Sequence, residues 1–324
     1  MYNIQNIMPF IFCSYKMAQG PALVCRLLAS SVSVAHKAGN IIRDVMQKGD
    51  LGIIEKGEND LQTEADRSAQ RCIVASFKNL YPNVNIVAEE VDKISQNLDV
   101  PADWLITDLD PKILDLECPK SLLNVTEDQV TIWVDPLDGT SEFTKGLIDH
   151  VTILIGVCVN DEAVAGVIYQ PFWQNRGRAL WGLVGSGVGG FELKEPPQTK
   201  KVYVTTRSHY DKAIEKFIDG LKPCEVIRVG GAGNKVLYIL EGKAHAYVYP
   251  SAGCKRWDTA APEAVLRAAG GELTDVHGNK YSYSKENEKD PLNKYGVFAT
   301  APSYNHTEFM KLISDIQSKN VKND

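Results

Sequence analysis

No two cysteines in this sequence are spaced C-x-x-C, and their count, seven, is odd. That excludes a zinc ribbon and argues against a disulfide framework. A reducing, cytoplasmic compartment fits best. Histidine is scarce, six in 324 residues, and none falls at metal-ligand spacing. No apolar run is long enough to cross a bilayer: the stretch Ile7 to Phe12 is short and broken by Pro9. It also lacks the basic start and long apolar core of a signal peptide. Residues 1–16 therefore read as a disordered extension ahead of Met17. Positive charge is not in excess, with 35 Lys and Arg against 41 Asp and Glu and a net charge of −6. A general nucleic-acid surface is not expected from that balance, nor a membrane partner. No internal repeat or low-complexity tract stands out.

What is present is an ordinary soluble composition, 44% hydrophobic and 23% charged, long enough for one large or two ordinary domains. Apolar residues at helical spacing predict a long amphipathic helix over 21–48, ending at Gly49, and a second over about 63–80. Residues 91–129 carry nine acids against three lysines with no clear period, so an irregular excursion with short helical pieces is expected. A hairpin is expected over 151–159 and 163–169, turning at Asn160-Asp161, with further strands at about 179–184 and 189–193. Pro196-Pro197 mark a domain junction. Beyond it the pattern alternates: strand 201–205, helix 211–221, strand 225–229, helix 234–242, strand 244–249, a helix from Thr259, strands near 272–275 and 295–300, and a helix near 303–317. Such alternation suggests a mixed sheet covered by helices. The expected domains are 17–195 and 196–324. Gly185-Ser186-Gly187-Val188-Gly189-Gly190 matches a dinucleotide fingerprint literally. That fingerprint must open a helix, and Phe191-Glu192-Leu193 leads into Pro-Pro instead, so a glycine-rich β-turn is expected.

The most informative run is Trp133-Val134-Asp135-Pro136-Leu137-Asp138-Gly139-Thr140. The apolar, β-branched residues before it read as a buried strand. Pro136 should end that strand, and Thr140 or Ser141 can cap a helix through Thr144. Two carboxylates and the Leu137 carbonyl would then crowd one strand end. Acids that close repel each other, and a hard divalent cation relieves the repulsion. Free N–H groups after Asp138, Gly139 among them, can hold an anion such as phosphate. Metal-assisted phosphate chemistry is suggested, and an acidic chain can hold a polyanion only through bound cations or local Lys and Arg. A second run is Gly253-Cys254-Lys255-Arg256-Trp257-Asp258-Thr259. Asp258 stands at the start of an apolar helix closed by Gly270-Gly271, where an acid is also a good cap.

Together these runs resemble the lithium-sensitive, magnesium-dependent phosphomonoesterase superfamily, which includes inositol monophosphatases, fructose bisphosphatases and bisphosphate nucleotidases. Its members share a DPxDG(S/T) strand end, a later WD helix start and an upstream acid pair after a strand. Here that pair is Glu89-Glu90, after Val84 to Ala88; the family usually has glycine where this chain has Ala88. The resemblance runs from about Leu23 to Pro302. It implies an α+β or α/β chain folded as a layered αβαβα sandwich, with the active site between its halves. It implies two or three Mg2+ ions: Glu89 and the Leu137 carbonyl on the first, Asp138 and Asp258 on the second, Asp135 bridging. It further implies that Asp60 orients Thr140, which contacts the attacking water.

Substrate recognition is expected in the second half. Thr205-Thr206-Arg207-Ser208-His209 follows a strand. Val229-Gly230-Gly231-Ala232-Gly233-Asn234-Lys235 makes a strand, a glycine turn and a helix start, which exposes amides to an anion. These two runs, with the long acidic excursion, resemble bisphosphate nucleotidases most closely. On the matching positions Thr206, His209, Gly231 and Lys235 would touch the nucleotide, with Lys235 on its 5′-phosphate. The implied reaction is removal of the 3′-phosphate of adenosine 3′,5′-bisphosphate, with related activity on the sulfated nucleotide and inhibition by lithium. The expected partner is this small phosphorylated nucleotide, and the protein is expected to be a monomer. An inositol phosphate phosphatase, alone or as a second activity, and a non-catalytic phosphate-binding protein are the alternatives.

Overall fold

The computed structural model describes residues 20–57, 60–90, 96–208 and 210–320. Residues 1–16, read as an extension, and His209 lie outside the described residues. Helix α1, Leu23–Lys48, ends on Gly49 in the left-handed region, where glycine meets no Cβ penalty. Helix α2, Glu64–Leu80, is capped by Thr63. A short antiparallel hairpin precedes α2, with β1 at Ile54–Gly57 and β2 at Asp60–Gln62.

Six strands form the first sheet: β3 (Asn85–Ala88), β4 (Val130–Asp138), β5 (Thr152–Val159), β6 (Glu162–Gln170), β7 (Arg178–Leu183) and β8 (Gly187–Gly189), paired in that order. β3 runs parallel to β4 and the other pairs are antiparallel. Every residue of β4 and of β5 is buried, as a sheet covered on both faces requires. From residue 96 on, the excursion between β3 and β4 carries single helical turns, among them Pro111–Leu114.

β4 does not stop at Pro136. It runs on to Asp138 through a break in register: Asp135 opposes Leu154, and Asp138 opposes Thr152. Proline has no N–H to give the ladder, so the chain bulges past it instead of ending. Helix α3, Thr140–Thr144, follows directly from Gly139, whose φ is 95°.

The second sheet holds β9 (Val202–Thr206), β10 (Glu225–Val229), β11 (Ala246–Tyr249), β12 (Glu272–Thr274) and β13 (Val297–Thr300), in the order β10-β9-β11-β13-β12. β9 is parallel to β10 and β11, while β13 is antiparallel to its neighbours. The helices of this half are α4 (Lys212–Gly220), α5 (Ala232–Leu240), α6 (Arg256–Ala268) and α7 (His306–Asn320). α5 and α6 pack against each other between the two sheets. On the far side of the second sheet, Phe309 of α7 packs on Tyr203 and Phe298. With α1 and α2 covering the first sheet, the layers read helix, sheet, helix, sheet, helix.

The middle layer is seated on glycine. Gly156, Gly166 and Gly182 are direct neighbours across β5, β6 and β7. A Cβ at Gly156 would lie 2.6 Å from the Ala260 methyl, and one at Gly166 would lie 2.7 Å from the Ala261 carbonyl oxygen. The row is a trough in which α6 lies with its backbone close to the sheet, and this close approach fixes where Asp258 stands.

Candidate active site

The ends of β3 and β4 and the starts of α5 and α6 converge on one acidic cluster. Asp135, Asp138 and Asp258 each bring a carboxylate oxygen within 4.8 Å of the others. Asp135 turns back to accept the Leu137 amide at 2.9 Å. Asp258 lies at the third position of α6, not at its cap: Lys255 is the cap, and its N–H donates to Asp258 Oδ2 at 2.6 Å. The helix therefore starts three residues before the expected Thr259, because the Asp258 carboxylate reaches back to the Lys255 N–H and holds the first turn.

Asp138 is the most tightly held of the three. Its Oδ1 accepts the Ala232 amide at 2.8 Å, and its Oδ2 accepts the Gly233 amide at 2.8 Å and the Thr152 hydroxyl at 2.7 Å. The helix start expected to face an exogenous anion thus faces this carboxylate. Gly231 permits the approach, since a Cβ there would sit 2.7 Å from the His150 carbonyl oxygen and 3.0 Å from Asp138 Oδ2.

The electrostatics are those of crowded anions. Burial pushes the Asp135 carboxyl well above its ordinary value, and Glu89, Asp138 and Asp258 push it further. Asp258 is lifted to about 6, by burial first and then by Asp138. Glu89, at the end of β3, is lifted to about 8 by burial, with Glu90 and Asp258 adding to the effect and Lys56 opposing it. Glu89 thus feels the cluster, whereas Glu90 turns away and is held by Lys56 Nζ at 2.9 Å and by Gln62. Protons or cations must neutralise such a set. Its donors are all oxygen, which suits magnesium, calcium or manganese better than zinc. The residues present therefore fit a divalent cation site.

Thr140 stands beside this set. Its hydroxyl lies 2.9 Å from Asp66 Oδ1 and 3.2 Å from the Leu137 carbonyl. Asp66, not Asp60, is thus the carboxylate bonded to Thr140. Asp66 is fully buried at the third position of α2 and also accepts the Thr63 amide and hydroxyl. Asp60 sits on β2 with its side chain 46% exposed, and its ionic partner is Lys56 Nζ at 3.4 Å. The two acids flank Thr63 at equal distance in sequence, and only the helical turn carries one of them inward. The signal for Asp66 was legible: Thr63-Glu64-Ala65-Asp66 ahead of an apolar run is a capping box.

Of the expected substrate residues, Thr206, Gly231 and Lys235 are described in the second half. Thr206 ends β9 and is buried. Gly231 abuts Asp138 as described. Lys235 is buried on α5, donates from Nζ to the Gly231 carbonyl at 2.8 Å and lies over the Tyr247 ring. Sequence reasoning passed over Lys56, which reaches Asp60, Glu89 and Glu90 from the hairpin; their charge outweighs burial and holds its ammonium above its ordinary pKa. It also passed over Glu142 and Arg207.

A layered sandwich with an oxygen-donor acid cluster between its sheets is the architecture of a phosphomonoesterase fold, and comparison with known proteins specifies which. The family model described as the inositol monophosphatase family matches residues 25–318, and the chain belongs to that family. Human 3′(2′),5′-bisphosphate nucleotidase 1 is 44% identical over 301 residues, covering 90% of this chain and 95% of that protein. The Dictyostelium discoideum protein of the same name is 36% identical, covering 93% and 98%. Among solved structures, CysQ from Bacteroides thetaiotaomicron superposes with a TM-score of 0.61 at 26% identity, covering 85% of this chain and 97% of that one. An inositol monophosphatase from Thermotoga maritima gives 0.63 at 21% identity, covering 89% and 97%, a likeness of fold.

Proposed function

We propose that this protein hydrolyses the 3′-phosphate of adenosine 3′,5′-bisphosphate to AMP and phosphate, and acts on the sulfated nucleotide as well. The observation that carries the reading is the meeting of two sequence runs at one place: the acid cluster of the DPLDGT strand end is hydrogen-bonded directly to the start of the GGAGNK helix. The relatives named as nucleotidases over most of the chain support the same reading. Glu89, Asp135, the Leu137 carbonyl, Asp138 and Asp258 would hold Mg2+, two or three ions. When bound, such ions lower the pKa of water and offset charge on phosphoryl oxygens.

The chain's own groups do the rest. An ionised Asp66 can only accept, so the Thr140 hydroxyl gives its proton to Asp66 and turns its lone pairs toward the cleft. A water there can donate to Thr140 and is thereby aligned for attack. Asp60 serves through its ion pair with Lys56 at the cleft edge. Gly139 and Gly231 keep the walls bare of side chains, Thr206 and Lys235 belong to the nucleotide side, and from the sequence His209 would contact the nucleotide with them. Lithium would inhibit by competing for the acids that would hold magnesium. The protein acts as a cytoplasmic monomer on a small nucleotide, not on nucleic acid or at a membrane. Among the described residues no helix is long and apolar enough to cross one.

The test is phosphate release, with magnesium, from adenosine 3′,5′-bisphosphate, AMP and several inositol phosphates. Fastest turnover of the bisphosphate supports the reading. A preference for inositol phosphates replaces it with the inositol phosphatase alternative, which uses the same acid cluster.

A further inference from the structure

The bisphosphate carries a second phosphate that is not cleaved, and the cations near the site differ in how free they are to hold it. Lys56 is shared among three carboxylates. Lys235 is buried and bonded to the Gly231 carbonyl. Arg207, directly after the buried Thr206 at the end of β9, keeps its side chain 44% exposed.

Beneath Arg207 lies an unusual group. Glu142 on α3 is 3% exposed, and its Oε1 is buried with no hydrogen-bond donor. A buried carboxylate oxygen left unpaired is costly and calls for a cation. Among the described residues the ionic partner of that oxygen is Arg207 Nη1, at 3.9 Å. The backbone accommodates the arrangement: a Cβ at Gly230 would fall 2.2 Å from Glu142 Cδ, so glycine at that turn leaves the room the carboxylate fills. The guanidinium can close on Glu142 with one edge and keep its other N–H groups for an anion, as its fork geometry allows.

We propose that Arg207, positioned by Glu142, is the residue that holds the non-scissile 5′-phosphate and so sets the preference for a bisphosphate over a monophosphate. Arg207 would be the binding residue and Glu142 a positioning residue acting through it. This takes the role that the sequence suggests for Lys235, whose buried ammonium already gives one of its donors to the Gly231 carbonyl. The inference rests on the nucleotidase reading of the site.

The test is a ratio: kcat/KM for adenosine 3′,5′-bisphosphate over kcat/KM for adenosine 3′-monophosphate, in wild type, Arg207→Ala, Glu142→Gln, the double variant and Lys235→Ala. A general loss of structure lowers both terms and leaves the ratio alone. Arg207→Ala is expected to lower the ratio by about 10- to 150-fold, the loss of one charge-assisted contact. Glu142→Gln should lower it in the same direction but less, and add little once Arg207 is gone. Should Glu142→Gln fail to fold, Arg207→Lys, which keeps charge and loses the fork, is expected to fall between wild type and Arg207→Ala. A high wild-type ratio that Arg207→Ala leaves within twofold, or that only Lys235→Ala lowers, overturns the proposal and spares the nucleotidase reading. Independent, multiplying effects of the two substitutions overturn the role of Glu142. A wild-type ratio near one, with faster turnover of inositol phosphates, removes both readings together.

Discussion

Replacing Asp66 with asparagine separates two roles this residue could have, as a helix cap and as the acceptor of the Thr140 proton. The carboxylate takes the Thr63 amide at 2.7 Å and the Thr140 hydroxyl at 2.9 Å on opposite oxygens. Asparagine has the same size and keeps one carbonyl oxygen, but it has no charge and its NH2 cannot accept. Losing the charge-assisted bond to Thr140 costs about 1.5–3 kcal/mol, and general-base assistance is typically worth about 10²–10⁴ in rate. A fall in kcat of about 10²- to 10³-fold is expected, with KM changed by no more than about threefold, since the loss lies in aligning water and not in binding.

Stability should move differently. Burial, with Glu90 adding, lifts the Asp66 carboxyl from 3.8 to about 6 against the lowering effect of its hydrogen bonds. Because the folded value lies above the unfolded one, the contribution of the neutral form is full at low pH and is lost as pH rises through about 6. Ionised Asp66 therefore costs the fold roughly 3 kcal/mol at pH 8, by the free energy equivalent of that change in pKa. Asparagine removes this cost while weakening the cap by about 1 kcal/mol. The melting temperature at pH 8 should hold or rise while turnover collapses. In the wild type, kcat should fall on the acid side of about pH 6 as Asp66 protonates; Asp66→Asn should lose that contribution and keep only the acid limb set by protonation of the Asp258 cluster. The assays are phosphate release at saturating substrate from pH 5 to 9 and thermal unfolding at the same values. A variant within threefold of wild type, or a loss of activity that tracks a loss of melting temperature, would refute the reasoning. So would Asp60→Asn lowering kcat more than Asp66→Asn.

Three further outcomes are expected. Glu89, Asp135 and Asp258 all titrate above the ordinary carboxylate range, so chelator-treated protein should lose melting temperature between pH 5.5 and 8; added Mg2+ should restore more at pH 8 than at pH 5.5, and equal restoration at both would count against a cation at this cluster. Asp138→Asn and Asp258→Asn should each cut turnover by orders of magnitude and weaken Mg2+ binding in calorimetry with the fold retained, because an amide is a poorer ligand than a carboxylate; near-normal binding in either would remove it from the ligand set. Gly166→Ala should destabilise by about 1–3 kcal/mol, since its methyl would press on the α6 backbone, and it should weaken Mg2+ binding by displacing Asp258; unchanged denaturant unfolding would show that the trough has slack.

The alternating pattern of the second half was legible because each strand and helix carries its own apolar period, and strand 225–229 falls where it was expected. The hairpin of β1 and β2 was not legible. All four residues of β1 are exposed, so no alternation between buried and polar marks it. The β4 bulge was misread for a local reason: Pro136 forbids a ladder bond, and whether the strand ends or skips is decided by β5 across from it. The carboxylate behind Thr140 depends on a helical turn that sequence distance alone does not resolve. The glycine trough is invisible to any periodicity. Gly156, Gly166 and Gly182 become a row only once three strands are paired in register.

That row also explains why the site belongs to both halves of the chain. Asp135 and Asp138 come from β4 of the first sheet, but Asp138 takes its orientation from the first N–H groups of α5. Asp258 comes from α6, whose height above the first sheet is set by the trough. Neither half can present the three carboxylates without the other. Bringing them together costs free energy when they are ionised, and a divalent cation returns it, so cation binding and the docking of the middle layer are one linked equilibrium. A substitution that loosens the α6 seat, far from any ligand oxygen, should therefore weaken the cation. By the same linkage, added cation should protect the amides of α6 and of the first turn of α5 from hydrogen exchange more than those of α1, which touches no ligand.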